Sequence, residues 1–175
     1  MTNPLTIRGS VEFTDGSTNQ PVKIFGYESP DRTKAWRVTG AFVWPQTVEV
    51  SGAVSSNVQG SWISVLSTDD FAAELNNAKS DDNRQFGWGQ HDYAIRNNAG
   101  ATQDYLHGKA GIISQSQLLL DPGHLVVQNL FLQMSSHTEG GTQVRKWNYM
   151  VVLEKRTVSP PESILQQLKG TGQSI

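Results

Sequence analysis

Residues 147–154, WNYMVVLE, decide the fold, because large apolar side chains recur there at every second position: Trp147, Tyr149, Val151 and Leu153. A period of two places alternate side chains on opposite faces of a β-strand, so such a strand has one face to bury. The same alternation occurs earlier, at Ile7, Val11 and Phe13, and again at Trp36, Val38, Phe42 and Trp44. Strands of this kind must cover their apolar faces with each other, which predicts an all-β sandwich or barrel.

Turn-forming residues divide the chain into about eight or nine strands and a short C-terminal helix. We expect strands at residues 5–13, 22–27, 34–44, 47–54, 62–66, 93–96, 112–120, 125–135 and 143–158. Asp15-Gly16 favours a hairpin turn after the first strand, and Thr68 a helix start after the fifth. Residues 79–111 have little periodicity, so we expect a long irregular insertion there. A single jelly-roll β-sandwich over residues 1–158, with a helix and tail at 159–175 in the same domain, fits better than an immunoglobulin-like sandwich.

The end of the chain carries a strong helix signal. Ser159 is a capping residue, prolines follow it in the first turn, and Glu162 completes a capping box. Ile164, Leu165 and Leu168 then form an apolar stripe. Because so short a helix is unstable alone, we expect it to dock on its own domain or on a neighbouring subunit.

Composition excludes several kinds of partner. The net charge is −2, and no basic run exceeds two residues, so we expect no direct binding of nucleic acid. No segment has the ~20 apolar residues of a transmembrane helix. Only 17% of residues are charged, against about 25% in typical domains. A surface rich in uncharged polar groups suits a protein whose flanks contact other proteins.

No catalytic motif is present, and we expect neither an enzyme nor a cofactor. There is no Gly-x-Ser-x-Gly elbow and no glycine-rich phosphate loop, and the candidate carboxylates fall mostly on outward strand positions. The absence of cysteine excludes thiolate metal sites. His91-Asp92 and the Asp104/His107 pair could contribute to a metal site, although no strand carries the His-x-His pair of a cupin. An enzyme subunit or a cupin-like metalloprotein is the third alternative.

An aromatic cluster in residues 79–111 gives the candidate sites. Glycines flank Trp88, so its ring is expected to be exposed. The favoured hypothesis is a subunit interface formed with the terminal helix, comprising Phe86, Trp88, Tyr93, Tyr105, Ile164, Leu165 and Leu168. The alternative is a glycan site in which the Trp88 indole stacks on a sugar and Gln90, His91 and Asp92 bind its hydroxyls. Packing of this segment on its own sandwich is also open.

The strand at 147–154 and the appended helix at 159–168 resemble the single-jelly-roll capsid proteins of tailless icosahedral phages and archaeal viruses that enclose a membrane. The resemblance implies a capsid tile in the virion, made in the host cytoplasm and assembled from copies of itself and other capsid proteins. It also implies an underlying membrane without a transmembrane segment in this chain. Major tiles, pentons, spikes and cementing proteins all fit it. The alternative function is a carbohydrate-binding or receptor-binding β-sandwich module.

Overall fold

The computed structural model describes residues 4–16, 20–27, 33–46, 58–70, 78–96, 105–107, 116–138 and 144–171. These contain one helix, α1 (Pro160–Thr171), and nine strands: β1 (Leu5–Thr14), β2 (Val22–Gly26), β3 (Lys34–Pro45), β4 (Val58–Ser67), β5 (Gln85–Arg96), β6 (Tyr105–His107), β7 (Leu119–Leu120), β8 (Asn129–Thr138) and β9 (Val144–Thr157). The strand expected at 47–54 and most of the helix expected after Thr68 lie outside the described residues.

The strands form two antiparallel sheets, one with the order β1-β9-β3 and one with the order β2-β8-β4-β5-β6, with β7 also paired to β5. The pairing is nested: β1 pairs with β9, β2 with β8, and β4 with β5. Residues 116–118 run beside β3, where Val43 N donates to Ser116 O (2.8 Å) and Leu118 N to Ala41 O (2.9 Å). This nesting of early strands with late ones is the jelly roll, so the predicted fold class is confirmed.

Two tryptophans join the sheets at the centre of the sandwich. The rings of Trp62 in β4 and Trp147 in β9 lie 5.1 Å apart at an interplanar angle of 53°. Both side chains are fully buried, and aromatic pairs at this spacing add to the free energy of burial. The remaining core is aliphatic and aromatic, and its larger members are Phe13, Val43, Leu66, Phe86, Leu130, Leu132, Met134, Val151 and Leu153.

A β-bulge in β3 changes which residues face the core. Val38 pairs with Leu153 and Gly40 with Val152, so one extra residue stands between them. The bulge switches the alternation: Ala41 and Val43 are buried, whereas Phe42 and Trp44 lie half-buried on the other face. The prediction that Trp36, Val38, Phe42 and Trp44 share one face is therefore wrong.

The turn after β1 has a different role from the predicted hairpin. Gly16 has φ = 69°, as a tight turn requires, but β1 and β2 belong to different sheets. The Asp15 carboxylate is buried, with Oδ2 2.5 Å from Arg145 Nε and Oδ1 accepting a hydrogen bond from Ser136 Oγ. Ser136 belongs to β8, so these three residues, the Asp15 cluster, tie one sheet to the other.

The segment expected to be irregular, residues 79–111, contains the 12-residue strand β5. β5 pairs with β4 along nearly its whole length, and the short strand expected at 93–96 is its final part. A Cβ at Gly87 would lie 3.1 Å from Leu66 Cβ, and one at Gly89 would lie 2.8 Å from Ser64 Oγ. Glycines inside a strand mark such close approach, and here they removed the side-chain alternation that would have predicted β5.

Candidate functional site

The amino-terminal cap of α1 forms as the sequence predicts. Ser159 Oγ accepts a hydrogen bond from Glu162 N (3.4 Å), and Ser159 O accepts one from Ser163 N (2.9 Å). The helix then runs to Thr171, one residue past the expected stop at Gly170.

The helix rests on the sandwich with its polar side. Ser163 is buried, and Gln166 and Gln167 are half-buried. By contrast, Ile164, Leu165 and Leu168 are 46%, 54% and 59% exposed. Surface helices normally bury the apolar stripe, so α1 presents to solvent the face that usually supplies packing energy. This exposed apolar face is therefore the candidate interaction surface of the helix.

A groove lies beside this face. One wall consists of Ile164 and Leu168 from α1, and the opposite wall consists of Leu125, Val127 and Phe131. The volume is about 520 Å³, within the range of binding pockets. We call it the α1 groove.

The rim of the α1 groove is acidic. Thr68, Asp69 and Asp70 follow directly after β4 and line the groove. Asp69 Oδ1 accepts a hydrogen bond from Asp70 N (2.9 Å), and Asp69 O accepts one from Ser67 Oγ (2.8 Å). These bonds hold the rim backbone in place. The two carboxylates therefore lie beside the apolar side chains of the groove.

Of the predicted interface residues in β5, Phe86 lies inside the sandwich, whereas Trp88 lies beside α1 and lines one pocket with Gln166. Phe86 is buried in the core, with its ring stacked on His124 at 4.4 Å, so it is corrected from an interface residue to a core residue. Trp88 is half-buried, and its Nε1 donates to Gln85 Oε1 (3.1 Å), so its ring is not free-standing as expected. The side chains of Tyr93 and Tyr105 lie outside the described residues.

The four residues of the alternative glycan site do not converge on one face. Trp88, Gln90 and Asp92 occupy alternate positions of β5 and share its outer face. His91 lies on the inner face, opposite Trp62 in the ladder and 5.1 Å from its ring. Burial lowers the pKa of His91, and the nearby Asp92 charge opposes that shift. The arrangement proposed from sequence is therefore wrong for His91.

Trp88 instead borders a small polar pocket of about 80 Å³ that the sequence did not indicate. Asp82, Asp121 and His124 are among its other lining residues. Arg84 binds the Asp82 carboxylate through Nε (2.9 Å) and Nη2 (2.8 Å), and this hydrogen bonding lowers the pKa of Asp82. The pocket brings together residues up to 86 positions apart, counting from Ser80 to Gln166, which no local motif reveals.

Two further properties concern only the part of the chain that the structure describes. No three His, Asp or Glu side chains there are grouped so as to hold a metal ion. No helix in those ranges combines the length and the apolar character needed to cross a membrane.

Comparison with known proteins identifies no family. No protein-family model matches the chain, and no curated protein sequence matches it. Among solved structures, the chain is similar to a chain of infectious bursal disease virus, Gx strain, with 11% sequence identity and a TM-score of 0.27. The similarity covers 89% of this chain but 32% of the other, so this chain spans about a third of that protein's length.

Proposed function

We propose that this protein is a virion structural protein, a capsid tile that self-assembles with copies of itself into an icosahedral shell. The observation that carries the proposal is the exposed apolar face of α1, formed by Ile164, Leu165 and Leu168. Covering a large aliphatic side chain contributes about 1.5–3 kcal/mol when burial is complete. A neighbouring subunit that covers this face would gain a substantial part of that free energy.

The charges beside this face favour a protein partner. Asp69 and Asp70 line the adjacent groove, and carboxylates repel both nucleic-acid phosphates and anionic lipid headgroups. The chain as a whole carries a net charge of −2. A protein surface that carries apolar and basic groups would cover the exposed face of α1 and pair with the carboxylates at the rim of the α1 groove.

The test is assembly of a variant with a polar helix face. Leu165→Gln with Leu168→Gln keeps good helix formers and removes exposed rather than buried side chains, so the fold should persist. Light scattering and negative-stain imaging should find large closed particles for the wild type and single 19.3 kDa chains for the variant. The matched control is Leu119→Gln, which removes another exposed leucine away from α1.

Two results would contradict the proposal. One is a wild-type chain that stays monomeric at every concentration under conditions in which its melting transition is cooperative. The other is a helix variant that builds the same particles as the wild type.

The second candidate function, glycan binding, is supported by the pocket beside Trp88 rather than by the face first predicted. An indole next to carboxylate and amide groups can stack on a sugar and bind its hydroxyls, and a pocket of about 80 Å³ holds only part of such a ligand. A glycan array with wild-type protein and Trp88→Ala tests it. Binding that is lost in Trp88→Ala but retained in the helix variant would support this function independently of assembly.

A further inference from the structure

We propose that copies of this chain associate head to tail, with the α1 groove of one copy receiving the exposed surface at Val144 and Lys146 of the next. This surface lies where β9 begins, at one end of the sheet, and we call it the edge, although β9 is the central strand. This inference rests on the proposed function and specifies the contact through which tiles meet.

The lining of the groove indicates the chemistry of its occupant. Apolar side chains and uncharged amides line it, and its only charged lining residues within the described ranges are Asp69 and Asp70, so a complementary surface needs an apolar side chain next to a cation. A twofold contact in which two α1 grooves face each other would bring both acidic rims into one interface. Like charges across an interface oppose association, so the groove favours a different surface of the second copy.

One described surface has the required combination. Outside α1, the exposed large apolar residues among those described are Leu5, Leu119 and Val144. Val144 is 66% exposed, and Lys146, also exposed, follows on the same face of β9. At the corresponding spacing, Leu5 is followed by half-buried Ile7 and Leu119 by Asp121. Glu12 lies opposite Lys146 in the ladder and offsets part of its charge, but the rim offers two carboxylates.

The positions of the two surfaces make the contact intermolecular. The groove includes Asn129, where β8 begins. Val144 pairs with Thr14, and the turn just beyond Thr14 is bonded to the far part of β8, where Gly16 N donates to Ser136 O (2.7 Å). Asn129 and Ser136 are seven positions apart in β8, so the two surfaces are separated by about 23 Å along the strand. A copy cannot fill its own groove, and each copy keeps one free groove and one free edge.

Such a contact propagates. When different patches of two identical subunits meet, the contact closes into a ring if the rotation permits and otherwise continues as an open filament. Rings of this kind are the units from which a closed shell is built, which connects the contact to the proposed function.

The experiment uses charge reversal and sedimentation equilibrium at low ionic strength. The groove variant carries Asp69→Lys and Asp70→Lys, and the edge variant carries Lys146→Glu. Each should weaken self-association by at least tenfold in Kd. Combining all three substitutions in one chain should restore association, because the reversed edge then meets a reversed groove.

An equal mixture of the groove variant and the edge variant should also associate, although neither does alone, since each supplies the charge that the other lacks. Arg8→Glu is the matched control, because it makes the same change of charge at an exposed position of β1 near the other end of the same sheet. It should leave Kd unchanged. If the lysines at 69 and 70 impair folding, Asp69→Asn with Asp70→Asn should still weaken association and reduce its salt dependence.

The outcomes separate this inference from the proposed function. A wild-type chain that forms shells, together with groove and edge variants that form them equally well, overturns the head-to-tail contact alone. Failure of the combined variant to regain association also overturns it. A folded wild-type chain that never associates overturns the proposed function as well.

Discussion

The Asp15 cluster gives the sharpest prediction about stability. Arg145 lies in β9 with a side chain 5% exposed, and its Nε is 2.5 Å from Oδ2 of Asp15, whose side chain is 1% exposed. Replacing Arg145 with methionine keeps much of the aliphatic volume but removes the cation. The Asp15 carboxylate would then remain buried with Ser136 Oγ as a hydrogen-bond donor and without its opposite charge.

The expected cost follows from this burial. Removing one partner of a buried ion pair costs about 3–5 kcal/mol, which is a large fraction of the roughly 5–15 kcal/mol that stabilises a typical domain. For a chain of 175 residues, each kcal/mol lowers Tm by about 2–4 °C. Arg145→Met should therefore lower Tm by about 6–20 °C.

The assay is unfolding by urea and by heat at pH 7, with circular dichroism as the probe of the folded fraction. Arg156→Met is the matched control, because Arg156 lies in the same strand and its Nη2 is 2.7 Å from Glu154 Oε2, with side chains 46% and 26% exposed. Loss of this surface pair should cost at most about 1 kcal/mol. Adding Asp15→Asn to Arg145→Met should recover part of the stability, because the buried charge is then gone. Equal losses for Arg145→Met and Arg156→Met would refute the reasoning.

Three further predictions concern β1, β5 and the start of α1. Gly9→Ala should destabilise the fold by about 1–3 kcal/mol, measured by urea unfolding, because its Cβ would lie 2.7 Å from Cζ of Tyr149; an unchanged midpoint would contradict this. Because burial lowers the pKa of His91 below its ordinary 6.5, the unfolded chain binds the proton more tightly, so stability should fall as the pH drops below that value. His91→Gln should reduce this acid sensitivity, and a pH profile identical to wild type would exclude His91 as a cause. Ser159→Ala should cost about 1 kcal/mol in thermal unfolding, since it removes the hydroxyl that accepts from Glu162 N, whereas Ser159→Asp should not.

Alternation predicted those strands whose apolar side chains face the core without interruption. β1 and β9 were predicted to within two residues, because Val11, Phe13, Trp147 and Val151 lie on regular ladders. β3 was predicted as an element, and Val38 was correctly placed on its buried face, but the residues after Val38 were not, because the bulge there inverts the alternation. Gly40 lies at the bulge, and an isolated glycine within a strand is the local signal that could have indicated it.

Long-range contacts account for the other differences. Asp15 occupies a typical turn dipeptide, and its ion pair with Arg145 bridges 130 positions, so only the folded chain reveals it. The capping box predicted α1 correctly, but the pattern does not say which side of a helix meets the protein. Here Ser163 is buried while Leu165 is exposed, and that reversal is the feature on which the candidate site depends.

The central position of β9 between β1 and β3 has a consequence for timing. Leu5 pairs with Leu153, so β1 emerges from the ribosome long before its partner in the ladder exists. Contacts between residues so distant in sequence form slowly, and the sandwich cannot close until β9 has been made. Because α1 follows β9 directly, the helix with its exposed apolar face leaves the ribosome only after the strand that completes the sandwich has been made. Under the proposed self-assembly, this order of synthesis would keep the exposed helix face from contacting other chains before the fold is complete.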